Sequence, residues 1–310
     1  MDLKQLRAFL TVVDTGNVTR AAEMLNLVQP AVSRQLRLLE EDLGADLFRR
    51  ERNGMVLTEA GRSLIGYARR ALLELDRAKA EITGSVGGIG GLVTVGLLPS
   101  TCDLLSSPLV AAVAATYPGI QMRIVMGYAG TLREWLENGE VDAALVYGLG
   151  RSPSIKATPL IEEALWVVGP ASARLRKGRP VPLASLVGKP MLLPSAPHGI
   201  RTLVDHACAL SNVELTIAAE TNAMSIQRRL VLDGLGLTIL PAIAVADDIA
   251  TRRVTAAPLS DPTITRTIDL ALPANRTVGR HVQCAVELLV QCVKDATRRG
   301  AWLEARWLGP

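Results

Sequence analysis

Apolar residues recur at helical spacing near the start of the chain. In the first segment they are Leu3, Leu6, Leu10 and Val13. Gly16 and Asn17 then end this helix and cap a second one, over residues 18–25. A third helix begins at Pro30, because proline suits a first helical turn, and an Asn-Gly pair further on predicts a β-hairpin. Three helices and a hairpin are typical of a winged helix-turn-helix domain, which we assign to residues 1–58.

One face of the third helix is polar and partly basic. At about 100° per residue, Gln29, Ser33 and Arg37 share this face, and Arg34 lies at its edge. Glutamine, serine and arginine can bond base edges in a major groove, and arginine also binds phosphate. The alternative is that this face is simply solvated. Because the arginines gather in this helix and on one strand face of the hairpin, we predict double-stranded DNA as the partner.

A long helix is predicted to follow the hairpin. Thr58 can cap it, and Glu59 places a carboxylate in its first turn. Apolar residues then form a narrow seam: Leu64, Ala68, Ala71, Leu75, Ala78 and Ile82. The charged flanks of this seam favour a partner helix, and hence a homodimer, over packing on the helix's own domain. A glycine-rich segment ends at Gly91, so residues 59–91 are assigned to a dimerisation linker helix and hinge.

Strands and helices alternate over residues 92–310, which predicts a doubly wound α/β domain. Ligands of such sheets bind at the carboxyl ends of strands, where helix N-termini offer N–H groups that favour anions. The residues at these positions are Ser100, Thr101, Thr131, Tyr147 and the segment 195–199. We therefore predict a shared pocket for a small anion. Helix capping is the alternative for each of these residues taken singly.

Composition and charge limit the function classes. The 310 residues carry a net charge of +4, which is too small to indicate a nucleic acid partner by itself. The sequence shows neither a secretory signal nor a disulfide or metal-ligand spacing, which predicts a cytoplasmic protein. Two uncharged segments are interrupted by glycine or proline and are interpreted as core, so no membrane partner is expected. The sequence contains no catalytic constellation, so we expect neither an enzyme nor a cofactor or metal site.

The segment from Leu3 to Gly61 resembles the LysR-type transcriptional regulators. The matching positions are Ala21-Ala22, Leu25, Gln29-Pro30-Ala31, Ser33, Leu39-Glu40, Leu43-Gly44, Leu47-Phe48, Arg50, Leu57-Thr58 and Ala60-Gly61. Val28 departs from the family, which usually has a serine there. The resemblance implies promoter DNA and RNA polymerase as partners, and a homodimer or homotetramer. The candidate DNA-binding residues are Thr19, Arg20, Gln29, Pro30, Ser33, Arg34, Arg37, Arg50 and Arg52.

The family's effector domain is similar to periplasmic binding proteins, with a small molecule bound between two α/β lobes. This resemblance implies a first lobe over about residues 92–160 and 268–300 and a second over about 161–267. It also implies that the effector contacts Ser100, Thr101, Thr131, Tyr147, Ser195, His198 and Gly199. We expect this effector to be a carboxylate or a similar anion.

Three alternatives remain open at this stage. One is a constitutive DNA-binding regulator with no ligand. A second is a thiol-based redox sensor that uses Cys102, which stands at a helix start, a position that lowers a thiol pKa. A third is an enzyme or a transport-type binding protein with an accessory N-terminal domain, which the lack of catalytic motifs and of a signal peptide disfavours.

Overall fold

The computed structural model describes residues 1–51, 54–84, 88–150 and 152–310 and divides the chain into two compact units. The first unit contains Met1–Gly91 and Glu137–Glu140, and the second contains Leu92–Leu136 and Val141–Pro310. No helix in the described part of the chain is both long and apolar enough to cross a membrane.

The first unit is a winged helix-turn-helix followed by a long helix. Its elements are α1 (Leu3–Thr15), α2 (Val18–Met24), α3 (Gln29–Leu43), β1 (Phe48–Glu51), β2 (Gly54–Leu57) and α4 (Glu59–Gly84). Gly16 ends α1 with a φ of 65°, and the Asn17 side chain accepts hydrogen bonds from the N–H groups of Thr19 and Arg20. The predicted stop and cap are therefore confirmed. The ring of Phe9, in the core of the three helices, lies 5.4 Å from that of Phe48 in the hairpin.

The hairpin is attached to α3 through a carboxylate. β1 and β2 are antiparallel, with Phe48 opposite Leu57. Glu40 Oε1 accepts hydrogen bonds from the N–H of Leu47 at 2.8 Å and of Phe48 at 3.3 Å. The helical spacing places Glu40 beside Gln29 on the polar face, but the structure directs its carboxylate to the hairpin. This contact fixes the hairpin against the third helix.

The apolar seam of α4 is divided between two environments. Thr58 Oγ1 accepts a hydrogen bond from the Gly61 N–H at 3.0 Å, as the capping prediction requires. Leu64 and Ala68 pack on the core of the first unit. Further along the seam, Ala71, Leu75 and Ala78 are exposed in the single chain, and the Ile82 side chain lies outside the description. Only the later part of the seam is therefore available to a partner helix.

The second unit is a two-lobed α/β domain. Its strands are β3 (Gly90–Leu97), β4 (Gly119–Met126), β5 (Ala143–Val146), β6 (Ile155–Pro170), β7 (Val181–Pro182), β8 (Met191–Pro194), β9 (Ile217–Thr221), β10 (Thr238–Pro241), β11 (Val254–Ser260), β12 (Thr265–Pro273) and β13 (Ala305–Trp307). Its helices are α5 (Cys102–Thr116), α6 (Ala129–Glu137), α7 (Gly199–Ser211), α8 (Met224–Leu232), α9 (Ala246–Ala250) and α10 (Arg280–Arg298).

Two long strands connect the lobes. The main sheet has the order β4-β3-β5-β12-β6-β11-β7, and β10 and β13 also pair with β6. We call the part built on β3, β4 and β5 lobe I, and the part built on β7 to β11 lobe II. β3 and β5 are parallel, whereas β12 is antiparallel to both β5 and β6. The fold class is confirmed, but this sheet is mixed because the chain passes between the lobes on antiparallel strands.

The C-terminal segment docks on the strands that connect the lobes. Ala305–Trp307 forms β13, which pairs antiparallel with residues 161–163 of β6. Trp302, which precedes this strand, is 1% exposed. The structure therefore places Trp302 within the core of its own second unit.

Candidate DNA-binding surface and effector cleft

The predicted polar face of α3 is exposed beside the hairpin. Gln29 Nε2 donates a hydrogen bond to Ser33 Oγ at 2.8 Å. Arg34 is exposed and pairs with no other described residue, whereas Arg37 Nε lies 3.5 Å from Glu41 in a solvent-exposed pair. Together with Phe48 and Met55 these side chains line an open groove. The groove therefore presents the exposed Arg34 guanidinium, which has no carboxylate partner among the residues described.

Of the remaining candidate DNA-binding residues, Pro30 also lines this groove. The exposed ones are Thr19, Arg20 and Pro30. Arg50 lies on β1, but its side chain is outside the described part, as is the whole of Arg52. Val28 occupies the N-cap position of α3 without a side-chain hydrogen bond and is 70% exposed. Helix α3 therefore begins without the hydroxyl that a serine would supply there.

A cleft between lobe I and lobe II occupies the predicted ligand position in the second unit. Its cavity volume is about 20 Å³ in this arrangement of the lobes, so a ligand larger than a water molecule requires the lobes to separate. Its walls are mostly apolar, with Leu98 and Pro99 contributed by lobe I and Ile200 and Met224 contributed by lobe II. Pockets for small molecules are typically concave and apolar, with a few polar groups that fix orientation. The chemistry of this cleft therefore depends on its polar groups.

A buried arginine provides the main polar group of the cleft. Arg266 on β12 is 5% exposed, and its Nε donates to Glu163 Oε1 at 2.8 Å. Its Nη2 donates to Ser100 Oγ at 2.9 Å, and the guanidinium carbon lies 4.6 Å from the centre of the Tyr147 ring. Trp302 Nε1 donates to Glu163 Oε2 at 2.9 Å. The cluster therefore joins lobe I, both connecting strands and the C-terminal segment.

Arg266 was not among the residues predicted to line the cleft. It lies within a strand, whereas the prediction rested on the ends of strands. A signal was present, because Arg266 alternates with Ile268 and Leu270 on one face of β12, and all three are buried. A charged residue at a buried position of a strand is uncommon unless it is paired, and this pattern could have identified it.

The structure brings only some of the predicted effector-binding residues to the cleft. Ser100, Tyr147 and His198 line it. Thr101 is fully buried and donates its hydroxyl to the Leu98 carbonyl at 3.0 Å. The others that do not line it are Thr131, which is exposed, Ser195, whose N–H donates to the Thr221 carbonyl at 3.1 Å, and Gly199, which lies against the Tyr147 ring. For Thr101, local hydrogen bonding in the turn takes the place of the predicted ligand contact.

His198 combines a structural contact with a position in the cleft. Its Nδ1 accepts a hydrogen bond from the Ile200 N–H at 3.2 Å and caps α7. Its ring packs edge-on against Tyr128, with 4.9 Å between ring centres. Burial lowers the pKa of His198, and the nearby Arg266 guanidinium lowers it further. The neutral imidazole is therefore the favoured form in the folded protein.

Acidification is expected to destabilise the effector domain through His198. Because the folded-state pKa is depressed below the ordinary 6.5, stability is present above that pH and is lost as the pH falls. Protonation would also remove the acceptor that caps α7. His198→Asn retains a capping oxygen. We expect the Tm of this variant to fall less than that of the wild type when the pH is lowered from about 7 to about 5. His206→Asn, on an exposed position of the same helix, is the control, and equal slopes for all three proteins would contradict the prediction.

Gly199 is required by the close approach of Tyr147. A Cβ atom at position 199 would lie 2.5 Å from Cε2 of the Tyr147 ring, whereas one at Gly130, near the start of α6, would meet no atom within 4 Å. We expect Gly199→Ala to lower the free energy of unfolding by about 1–3 kcal/mol through overpacking. Gly130→Ala is the matched control and should be neutral or stabilising by about 1 kcal/mol. Urea denaturation measures both, and equal stability of the two variants would show that Tyr147 yields without cost.

The predicted lowering of the Cys102 thiol pKa is wrong. Burial raises the pKa of Cys102, and the adjacent Asp103 carboxylate raises it further. Its Sγ lies 3.3 Å from the Leu98 carbonyl oxygen, to which the thiol donates. A raised pKa disfavours the reactive thiolate. The physical argument for a redox sensor at this residue is therefore removed.

Two family models together match most of the chain. Residues 3–62 match the bacterial regulatory helix-turn-helix protein of the lysR family, and residues 87–294 match the LysR substrate binding domain. The chain belongs to the LysR family. The predicted resemblance is thus confirmed, and this LysR-type protein is a DNA-binding transcriptional regulator with an effector-binding domain.

Curated relatives and solved structures agree with this assignment. The chain is 30% identical over 302 residues to the HTH-type transcriptional regulator BbuR of Bordetella bronchiseptica, covering 97% of this chain and 93% of that one. It is 27% identical to the nitrogen assimilation regulatory protein nac of Escherichia coli, covering 95% and 96%. The crystal structure of CbnR, a LysR family transcriptional regulator, superposes with a TM-score of 0.73 at 23% identity, covering 95% of this chain and 100% of that one. A full-length OxyR variant from Pseudomonas aeruginosa gives 0.68 at 24% identity, covering 95% of each. The structural similarities support the shared fold.

Proposed function

We propose that this LysR-type regulator responds to a small anion that binds in the cleft at Arg266. The observation that carries the proposal is a buried guanidinium at the wall of a mostly apolar cleft. Beside it, the Ser100 hydroxyl and the Tyr147 ring fix the guanidinium plane. Arginine is well suited to bind a carboxylate because its N–H groups match the two oxygens.

Ligand binding would act by favouring one arrangement of the two lobes. Tyr128 follows β4 in lobe I. Its hydroxyl accepts a hydrogen bond from the Met224 N–H of lobe II at 2.9 Å. Arg266 and Ser100 also connect a linking strand to lobe I. A ligand that bridges these groups binds more tightly when the lobes are close together, and this differential affinity shifts the equilibrium.

The change in the lobes would reach DNA through an oligomer. The exposed seam residues Ala71, Leu75 and Ala78 support pairing of α4 with a second copy, as a homodimer or within a homotetramer. In such an assembly, movement of the lobes alters the spacing of the DNA-binding units along the promoter. RNA polymerase is the partner through which altered promoter binding would change transcription.

The proposal is tested by a ligand screen followed by DNA binding. We expect at least one small carboxylic acid to raise the Tm of the full-length protein in a thermal-shift screen. The same acid should change the mobility or the footprint of the protein on the promoter next to its gene. Ser100→Ala, which removes one hydroxyl from the cluster, should weaken the response, whereas Ser185→Ala, in an exposed turn of lobe II, should not. A screen without any stabilising acid would favour a constitutive regulator.

A further inference from the structure

We propose that Glu163 makes the cleft selective for acids that carry a single negative charge on an apolar body. The inference rests on the proposed function, which is effector binding at Arg266. It extends that function by assigning the charge and the chemical class of the effector, and it identifies Glu163 as the residue that determines this specificity.

Glu163 already neutralises the only strong cation of the cleft among the residues that the structure describes. Its side chain is 1% exposed, and Oε1 lies 2.6 Å from Arg266 Nη2 as well as accepting from Nε. Its other oxygen, Oε2, accepts from Trp302 Nε1. Both oxygens therefore accept hydrogen bonds from separate donors, which is the pattern of an ionised carboxylate. An incoming anion must share Arg266 with this buried negative charge.

The other polar groups of the cleft add no positive charge. Of the described residues that line it, Arg266 carries the only permanent charge. His198 favours its neutral form, and burial raises the pKa of Tyr147, although Arg266 opposes that rise. One carboxylate of a ligand can bond Arg266 and Ser100. A second carboxylate would find no further cation among the described lining residues, only neutral polar groups such as Thr221 and Asn222, and an unpaired charge there is costly.

Apart from the neutral polar side chains of Tyr128, Thr221, Asn222 and Gln227, the remaining surface of the cleft is apolar. Leu98 and Pro99 face it from lobe I, and Ile200, Met224 and Leu240 line it from lobe II. These side chains offer no hydrogen bond to a second polar group, but they gain from the burial of hydrocarbon. A linear or aromatic monocarboxylate therefore satisfies both the charge and the polarity of the site.

Trp302 acts on this selectivity as a positioning residue. The C-terminal segment holds its indole against the connecting strands, because β13 pairs with β6 at Glu163 itself. The Nε1–H fixes the carboxylate of Glu163 in the plane that meets Arg266. Trp302→Phe would keep an aromatic ring but remove this donor, which would allow Glu163 to turn and weaken its repulsion of a second charge.

Matched pairs of acids that differ by one carboxylate provide the test. The pairs are hexanoate with adipate and benzoate with phthalate, and isothermal titration calorimetry of the full-length wild type measures their affinities. In each pair for which binding is detected, the monoacid should bind more tightly than the diacid by about tenfold or more. This comparison needs no variant. Benzamide and hexanamide, which lack the charge, should bind more weakly than the corresponding acids.

Variants then assign the selectivity to Glu163. We expect Glu163→Gln to raise the affinity for each diacid by about tenfold or more, and so to reduce the difference in affinity between a monoacid and its matched diacid. Trp302→Phe should reduce this difference in affinity to a smaller extent. Glu162→Gln is the matched control, because the neighbouring Glu162 pairs with Arg306 on the surface and should leave every affinity unchanged.

The outcomes separate the inference from the function on which it rests. Failure of all the acids to bind would count against the proposed function as well. Binding of a diacid as tightly as its monoacid would overturn the inference and leave an anion-responsive regulator in place. Wild-type selectivity in a folded Glu163→Gln variant would also overturn it, because the selectivity would then have another source.

Discussion

Replacement of Arg266 with alanine is expected to lower the free energy of unfolding of the effector domain by about 3–5 kcal/mol. The Glu163 side chain is 1% exposed in the wild type, and the variant would leave the Trp302 N–H as its remaining side-chain donor among the described contacts. A buried charge that loses its partner keeps the full cost of its removal from water. Urea denaturation of the full-length protein, followed by far-UV circular dichroism, measures this loss.

A surface ion pair between neighbouring strands supplies the control. Arg306 Nη2 lies 3.2 Å from the Glu162 carboxylate, and these side chains are 68% and 35% exposed. Arg306→Ala should therefore cost less than about 1 kcal/mol. Adding Glu163→Gln to Arg266→Ala removes the unpaired charge and should restore part of the lost stability. Equal losses for Arg266→Ala and Arg306→Ala would show that the buried pair has no special energetic role.

The second large effect is expected at Arg34. This guanidinium is exposed on α3 and has no carboxylate partner among the described residues, so it is available to a base edge or phosphate in the major groove. Arg34→Ala should weaken binding to the specific operator by about tenfold or more, with a smaller change on unrelated DNA. Fluorescence anisotropy at several salt concentrations distinguishes these two effects.

Arg50 offers a contrast within the same domain. Arg50 is predicted to contact the DNA phosphates from the hairpin. Arg50→Ala should therefore weaken binding to all DNA sequences and should reduce the salt dependence of the binding constant by about one phosphate contact. Arg306→Ala, whose exposed side chain belongs to the effector domain, should leave DNA binding unchanged. Unaltered affinity in both the Arg34 and Arg50 variants would show that DNA binds elsewhere.

The DNA-binding domain could be predicted closely because its signals are local. Gly16, Asn17 and Thr58 determine where helices end or begin through contacts within a few residues. The role of Glu40 could not be predicted in this way. Its partners, the N–H groups of Leu47 and Phe48, come after the end of the helix, and the helical wheel cannot represent them.

The effector domain was predictable in outline but not in its central contacts. Strand ends correctly indicated Ser100 and Tyr147 as cleft residues. Arg266 acquires its role from Glu163, which lies 103 positions away in sequence, and no local pattern encodes that pairing. Strand β11 cannot be predicted from its own residues because Ala256, Ala257 and Pro258 have low strand propensity, which the pairing with β6 overrides.

The docking of the C-terminal segment has a genetic consequence. Because Trp302 donates to the carboxylate that pairs with Arg266, the segment around codon 302 acts on a residue of the cleft wall through Glu163. A nonsense mutation just before codon 302 is therefore expected to resemble a missense mutation at Glu163 in a screen for altered inducer response. Alleles that map to this distal region belong in the same phenotypic class as those of the cleft.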